Sequence, residues 1–195
     1  MSFQWVGHKL FHGFDEAGQL AFMVRSSVLW ALRSKIEWRQ TLIQMLRIGV
    51  ESLPVSAMTS FFTGMVLALQ SGATSKHFFN EPLFIGTVVS FAIVMELGPV
   101  MTSMVVSGRA GAAIAAELGT MKVTEQIDAL YTLGTDPVRY LVIPRVLAFV
   151  AVLPILVVVS DFTGIIGGYI VATVKLGVAF STYWHVIVDN MRIRH

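Results

Sequence analysis

The chain has 195 residues, of which 55% are hydrophobic and only 13% are charged, and its mean hydropathy is +0.71. A soluble domain carries about twice that share of charge, so the composition favours an integral membrane protein over a soluble one. The chain has a net charge of +2 and no cysteine, which excludes a disulfide framework and a thiolate metal site.

The first 50 residues predict an arm that lies at the membrane interface. Two amphipathic helices are predicted, at about 16–32 and 36–50, and charged residues interrupt both too often for either to span a bilayer. Basic helices of this kind usually lie in the headgroup region, although a helix packed on the rest of the protein would show the same pattern. The basic residues of the arm are Lys9, Arg25, Arg33, Lys35, Arg39 and Arg47.

Three apolar stretches, at 52–75, 82–108 and 146–174, predict membrane-spanning helices. Each is long enough for a hydrocarbon core of about 30 Å. Residues 185–195 resemble the start of a further helix that the chain does not complete. The sequence therefore predicts an all-α polytopic membrane protein, with an interfacial arm at 1–50 and a membrane domain at 51–195.

The basic residues also predict the orientation of these helices. The arm holds six and the loop between the second and third spans holds four, whereas the two opposite turns hold one each, Lys76 and Lys175. The positive-inside rule places the N-terminus and the 109–145 loop in the cytoplasm.

Two acids lie inside the predicted spans, where an ionised carboxylate costs several kcal/mol unless it is paired, hydrated or protonated. Pro99 follows Glu96 and frees backbone carbonyls. We therefore interpret Glu96 as a polar point in a substrate cavity rather than as a structural carboxylate. For Asp161 we favour a structural role, because Ser160 and Thr163 could satisfy it locally.

Small residues recur at helical spacing in two places. Ser107, Gly111, Ala115 and Gly119 are four residues apart and predict one smooth helix face. The segment 164–168 has a GxxxG pattern, which also permits close helix approach. We interpret both as packing surfaces.

Residues 121–134 predict a cytoplasmic amphipathic helix with Lys122, Thr124, Glu125 and Asp128 on its polar face. It is too short and too charged to span the membrane. Its acids suit an anionic membrane surface poorly, so docking to a partner protein is favoured over a surface location. The sequence has no GxxxxGK[ST], HExxH or GxSxG motif, and its histidines lack metal-ligand spacing.

Several motifs together resemble the permease subunit of MCE-associated ABC transporters, the MlaE/YrbE-like family. Residues 128–134, followed by Ile143-Pro144, also look like a degenerate form of the cytoplasmic EAA loop of ABC importers. The resemblance covers essentially the whole chain. The family continues through two more membrane helices, so we expect a truncated or incomplete product. The matching motifs are Gly64-Met-Val-Leu67, Glu96-Leu-Gly-Pro99, Gly108-Arg-Ala-Gly111, Ala116-Glu-Leu-Gly119, Thr124-Glu-Gln-Ile-Asp-Ala-Leu130, Asp136-Pro-Val-Arg139 and Pro144-Arg145.

The resemblance implies a homodimer in the bacterial inner membrane that binds cytoplasmic ATPase subunits and periplasmic MCE-domain proteins and moves phospholipid. It implies no cofactor, metal, nucleic acid or catalytic site in this chain. The lipid cavity would be lined by Glu96, Leu97, Met65, Leu67 and Phe78. Contact with the ATPase would involve Glu117, Lys122, Thr124, Glu125 and Asp128.

Two other functions remain open at this stage. An intramembrane enzyme would use Glu96 and Asp161 as a catalytic pair, but the sequence shows no nucleophile–base motif to accompany them. A proton-coupled secondary transporter would respond to a pH gradient rather than to ATP.

The predicted topology can be tested by cysteine labelling, because the chain contains no cysteine of its own. In intact cells, a membrane-impermeant maleimide should label a cysteine at position 76 and spare one at position 122. The reverse pattern would contradict the orientation.

Overall fold

The computed structural model describes residues 14–15, 17–19, 21–26, 29, 37–78 and 85–178. The main elements are helices, which confirms the all-α prediction for the described residues. The residues described between 14 and 29 are helical as well, whereas the helix predicted at 185–195 lies outside the described part. In chain order the elements are α1 (Trp38–Phe78), α2 (Ile85–Ala92), a first π-helical turn (Ile93–Leu97), α3 (Gly98–Val123), α4 (Gln126–Thr132), a second π-helical turn (Val138–Val142) and α5 (Ile143–Val174).

Three helical stretches in the described part are long and apolar enough to cross a membrane: Trp38–Thr74, Gly86–Val123 and Val138–Val174. Each overlaps one predicted span: the first and third begin earlier than predicted, and the second ends later. The separation predicted between an arm helix ending near residue 50 and a first span beginning at residue 52 is absent, because α1 is continuous from Trp38 to Phe78. Gly49 and Pro54 flank the predicted break, but both lie inside the continuous helix, so neither ends it.

The chain divides into two compact units. We call Met1–Met45 with Glu117–Phe149 the loop unit, and Leu46–Ala116 with Val150–His195 the span unit. Each is described by itself below.

In the span unit, α1 and α5 meet through their backbones. A Cβ atom at Gly64 would overlap the carbonyl oxygen of Gly164, and one at Gly167 would overlap the carbonyl oxygen of Phe61. Glycine is required at these positions because only hydrogen fits between the two main chains. Of the GxxxG pattern at 164–168, Gly164 lies in this contact, and the second close approach is made by Gly167, which the pattern does not include.

The buried face of each long helix follows positions four residues apart, which form one ridge on an α-helix. On α1 this ridge consists mainly of serine, glycine and alanine, so the helix offers little side-chain volume where it is buried. From residue 48 onward, the buried α1 positions are Ile48, Ser52, Ser56, Ser60, Gly64, Ala68 and Gly72. The corresponding α3 positions are Gly98, Thr102, Val106 and Ala110.

The small-residue face predicted on α3 is not packed against the described residues of this chain. Ser107, Gly111, Ala115 and Gly119 are all exposed. A Cβ at Gly111 or Gly119 would meet no atom within 4 Å. Within the described residues α3 instead turns its Gly98–Ala110 ridge inward, so the packing predicted for the small-residue face stays a prediction.

An ion pair joins α1 to α3 within the span unit. Arg109 Nη2 lies 2.7 Å from Glu51 Oε2, and Arg109 Nη1 donates a hydrogen bond of 3.2 Å to the buried hydroxyl of Ser52. The guanidinium thus binds two adjacent residues of α1, which fixes the axial position of the two helices at this level.

We predict that Gly64→Ala destabilises the folded protein by about 1–3 kcal/mol, because the added methyl group would overlap the backbone of α5. Gly111→Ala is the matched control, since its Cβ meets open space. Thermal unfolding in detergent should show a lower Tm for Gly64→Ala alone. Equal Tm values for the two variants would contradict the backbone contact.

Candidate functional site

The first π-helical turn, Ile93–Leu97, carries Glu96 and ends at Gly98, whose N–H donates to the Ile93 carbonyl five residues back. Pro99 follows directly. A proline ring clashes with the carbonyl four residues earlier in a regular helix and donates no hydrogen bond, so a wider turn before it relieves the clash. The irregular backbone expected beside Glu96 is therefore present.

The same arrangement occurs a second time in the chain. The second π-helical turn, Val138–Val142, comes directly before the helix that contains Pro144 near its start. By contrast, Pro54 and Pro154 lie inside regular helix. A proline therefore accompanies each described π-helical turn, but a proline alone does not produce one.

Glu96 is exposed on the surface of the span unit. It forms no hydrogen bond or ion pair with any residue that the structure describes. Its neighbours on the chain surface are apolar: Phe91, Met95 and Val100 are each about half exposed, at 50%, 48% and 54%. A single carboxylate thus interrupts an otherwise apolar outer surface.

The other predicted lipid-site residues lie in different environments. Leu97 is partly buried and lines a small internal cavity together with Ser60 and Thr63. Met65 and Leu67 pack against the apolar core of the span unit, which includes Ala68, Val89 and Ile93. Phe78 is the last residue of α1, and its side chain lies outside the described part.

Asp161 is half-buried and lies against Gly98. A Cβ on Gly98 would overlap Oδ1 of Asp161 and would lie 2.8 Å from its Cγ. In the part of the chain that the structure describes, Oδ1 has no hydrogen-bond partner. The sequence offered no sign that Asp161 and the Glu96 turn are neighbours, since 63 positions of chain separate residues 98 and 161.

The local satisfaction expected for Asp161 is not found. The Thr163 hydroxyl donates to the carbonyls of Ser160 (2.9 Å) and Ala57 (3.3 Å), while the buried Ser160 hydroxyl has no partner. Hydroxyls on a helix commonly bond to a backbone carbonyl one turn earlier, which directs Thr163 away from the carboxylate.

In the loop unit, the helix predicted at 121–134 is divided in two. The segment 121–123 is the end of α3, and α4 covers only Gln126–Thr132. Glu125 has φ of +58°, a left-handed conformation that interrupts the helix between them. The exit is as predicted: Gly134 has φ of +71°, and the N–H of Thr135 donates to the Leu130 carbonyl at 3.0 Å, as in a Schellman cap.

The predicted ATPase-contact residues fall into three groups. Lys122 Nζ lies 3.0 Å from Asp128 Oδ2, and this exposed ion pair bridges the turn. Thr124 and Glu125 form the turn itself, with the Thr124 hydroxyl donating 2.8 Å to the Thr120 carbonyl. Glu117 lies elsewhere and binds Arg145.

The Glu117–Arg145 pair differs from the Lys122–Asp128 pair in its burial. Glu117 Oε1 lies 3.1 Å from Arg145 Nη2, and the Arg145 side chain is only 7% exposed. Arg145 Nη1 is buried without a partner. Glu117 therefore binds a guanidinium that is almost wholly buried, whereas the Lys122–Asp128 pair is exposed to solvent.

An apolar surface lies beside the turn. Val123, Tyr131 and Leu133 are 84%, 62% and 78% exposed. The amphipathic pattern placed Val123 and Leu133 on the apolar face of the predicted helix, whereas Tyr131 was missed, although a large exposed apolar side chain in a charged segment is itself a signal. No group of three His, Asp or Glu side chains that could hold a metal occurs among the described residues.

Comparison with known proteins adds the family context. A sequence profile described as "Permease MlaE" matches residues 41–195. The chain is 44% identical over 178 residues to a "Probable ABC transporter permease protein" of Rickettsia bellii, an alignment that covers 91% of this chain and 68% of the relative.

Two further relatives extend the range of organisms. The chain is 32% identical over 186 residues to the "Intermembrane phospholipid transport system permease protein MlaE" of Haemophilus influenzae, covering 95% of this chain and 71% of the relative. It is 42% identical over 156 residues to "Protein TRIGALACTOSYLDIACYLGLYCEROL 1, chloroplastic" of Arabidopsis thaliana, covering 79% of this chain and 44% of the relative.

We predict that Glu117→Ala lowers stability by roughly 2–3 kcal/mol, because it leaves the buried Arg145 charge without its carboxylate. Lys122→Ala is the comparison variant, and it should cost under about 1 kcal/mol because its ion pair is exposed. Denaturation of both variants in the same detergent tests the difference. A Glu117→Ala variant as stable as Lys122→Ala would refute the assigned role.

Proposed function

The chain belongs to the MlaE permease family, and on that premise we propose that it is the transmembrane subunit of an ABC transporter for phospholipid. In this proposal it moves phospholipid between the bacterial inner membrane and periplasmic MCE-domain proteins, and a separate cytoplasmic ATPase subunit supplies the energy. The N-terminus and the 109–145 loop lie in the cytoplasm, as the distribution of basic residues predicts.

The observation that carries this proposal is the exposed carboxylate of Glu96 on the first π-helical turn. An acid in the middle of an apolar span is costly unless it faces a partner, a cavity or water. A surface that combines one polar group with apolar neighbours such as Phe91 and Met95 suits an amphiphile. The apolar side chains would contact acyl chains, and the carboxylate would lie near the polar headgroup.

A second copy of the chain would close this surface into a cavity. The exposed row of small residues on α3, from Ser107 to Gly119, supports close approach of another helix. We propose that the protein is a homodimer, with Glu96 of each copy facing the lipid between the two protomers.

The energy must come from another protein, because the sequence has no nucleotide-binding motif. We propose that the ATPase docks on the turn between α3 and α4. This surface combines the acids Glu125 and Asp128 with the exposed apolar side chains of Tyr131 and Leu133. The Schellman cap at Gly134 gives α4 a defined end, so that a push on α4 can be passed on towards α5.

Lipid transfer in proteoliposomes tests the proposed function. With the ATPase and MCE-domain proteins present, fluorescent phospholipid should move only when ATP is hydrolysed, and Glu96→Ala should slow it about tenfold or more. Met104→Ala is the control. Met104 lies on α3 and is exposed, as Glu96 is on the preceding turn, but it carries no charge. Transfer driven by a pH gradient without ATP would instead establish a proton-coupled transporter.

A charge-reversal variant tests the docking surface. Glu125→Lys combined with Asp128→Lys should abolish binding of the ATPase, since repulsion and unpaired partners at an interface cost a few kcal/mol. The assay is a pull-down from detergent, with size-exclusion chromatography of the permease as a check on folding.

The double variant also breaks the Lys122–Asp128 ion pair, so a control must restore that pair. Adding Lys122→Asp returns opposite charges to positions 122 and 128 while leaving the acidic surface reversed. We expect the triple variant to remain unable to bind. Recovery of binding would show that the ion pair, rather than the acidic surface, is what the ATPase requires.

A further inference from the structure

We infer that Asp161 is a positioning residue for Glu96: its carboxylate occupies the space beside Gly98 and holds the π-helical turn that presents Glu96 at the surface. The lipid role of Glu96 rests on the proposed function, whereas the positioning itself can be tested without it.

The contact between Asp161 and Gly98 is direct and leaves no room for a side chain at residue 98. A Cβ on Gly98 would overlap Asp161 Oδ1, and it would also lie 2.8 Å from the Ile93 carbonyl oxygen. Ile93 and Gly98 are the two residues that the π-type hydrogen bond joins. Asp161 therefore lies against the point at which the turn closes.

Asp161 extends from a helix that is itself held in place. Two residues further along α5, the Thr163 hydroxyl donates a hydrogen bond of 3.3 Å to the Ala57 carbonyl of α1. One turn along, a Cβ on Gly164 would lie 3.1 Å from the Ser60 carbonyl oxygen of α1. The side chain of Asp161 thus projects from a fixed backbone, and its contact can restrain a neighbouring segment.

Apart from Asp161, the first π-helical turn is held mainly at its two ends. Ile93 is 2% exposed and anchors the start of the turn in the core of the span unit. Gly98 is buried at its end, while Glu96 between them is exposed. Pro99 has no N–H to donate back to a carbonyl of the turn. The direction of the Glu96 side chain therefore depends on how Ile93 and Gly98 are fixed.

Stability alone does not account for an acid at position 161. Its Oδ1 is buried without a hydrogen-bond partner among the described residues, which has a free-energy cost that an apolar residue of similar size would not have. An unfavourable buried group that touches the turn of an exposed acid indicates a functional role for the contact.

The experiment measures position and transport separately. Because the chain has no cysteine, Glu96→Cys provides a single site for a nitroxide spin label, and Met104→Cys on α3 provides the control site. With Asp161→Ala added, the label at position 96 should become more mobile in its EPR spectrum, while the label at position 104 should not change. Asp161→Asn keeps the shape of the side chain and should leave both spectra as they are.

Lipid transfer with Glu96 intact gives the second readout. Asp161→Ala should slow ATP-driven transfer about tenfold, because a small displacement of a binding group has a large effect on rate. Its Tm should be unchanged or higher, and Asp161→Asn should transfer at nearly the original rate. Gly98→Ala should also be impaired, and combining it with Asp161→Ala should recover only part of the activity, because the smaller side chain removes the overlap with Oδ1 but not the short contact with the Ile93 carbonyl oxygen.

The outcomes separate the two hypotheses. An unchanged spectrum at position 96 in Asp161→Ala overturns the positioning role. So does a fall in Tm with equal changes at positions 96 and 104, since that is the result of a purely structural residue. A selective change at position 96 with normal lipid transfer leaves the positioning role intact and argues against Glu96 as part of the lipid site.

Discussion

Direct backbone contact between α1 and α5 is the constraint on which the span unit depends. In lipid, helices gain little by hiding apolar side chains from each other, so they associate through close packing and hydrogen bonds. Gly64 against Gly164, and Gly167 against Phe61, provide that packing at the level of main-chain atoms. Because no flexible side chain lies between the helices there, α5 offers a rigid surface against which neighbouring elements are placed.

The turn that carries Glu96 is placed by this surface. Ile93 packs near Gly164, whose Cβ would lie 3.2 Å from the Ile93 Cδ1 atom, and Gly98 lies against Asp161 on the same helix. The prolines supply the local reason for an irregular backbone, and α5 decides its geometry. An exposed acid at the middle of a span is thus a consequence of contacts made on the opposite, buried side of the same helix.

Charged residues in the two units serve different purposes according to burial. Arg109 joins α1 to α3 through Glu51 and Ser52, and Arg145 is almost wholly buried against Glu117. Removing Glu117 would leave the buried Arg145 charge without compensation, whereas the Arg109–Glu51 pair is partly exposed. The exposed Lys122–Asp128 pair contributes little to stability, but it bridges the turn before α4. Of the residues first grouped as one contact surface, Glu117 therefore belongs with the buried Arg145.

The sequence by itself determined what depends on composition and local chemistry. Low charge and three apolar stretches predicted a helical membrane protein. Pro99 predicted an irregular backbone beside Glu96, and Gly134 predicted the end of α4. The motifs between residues 96 and 145 were sufficient to recognise the family. These features follow from hydropathy, from the missing N–H of proline and from the conformational freedom of glycine, none of which needs a partner helix.

Only the tertiary structure decided which of several equivalent patterns is buried. Small residues four positions apart occur both from Ser52 to Gly72 and from Ser107 to Gly119, and the period alone cannot distinguish them. The first row is buried, with Ser60 and Gly64 against α5, and the second is exposed. The contact of Asp161 with Gly98 was equally invisible, because it joins residues distant in the chain. A helical period indicates which residues share a face. Whether that face is buried or exposed is decided by contacts with other helices.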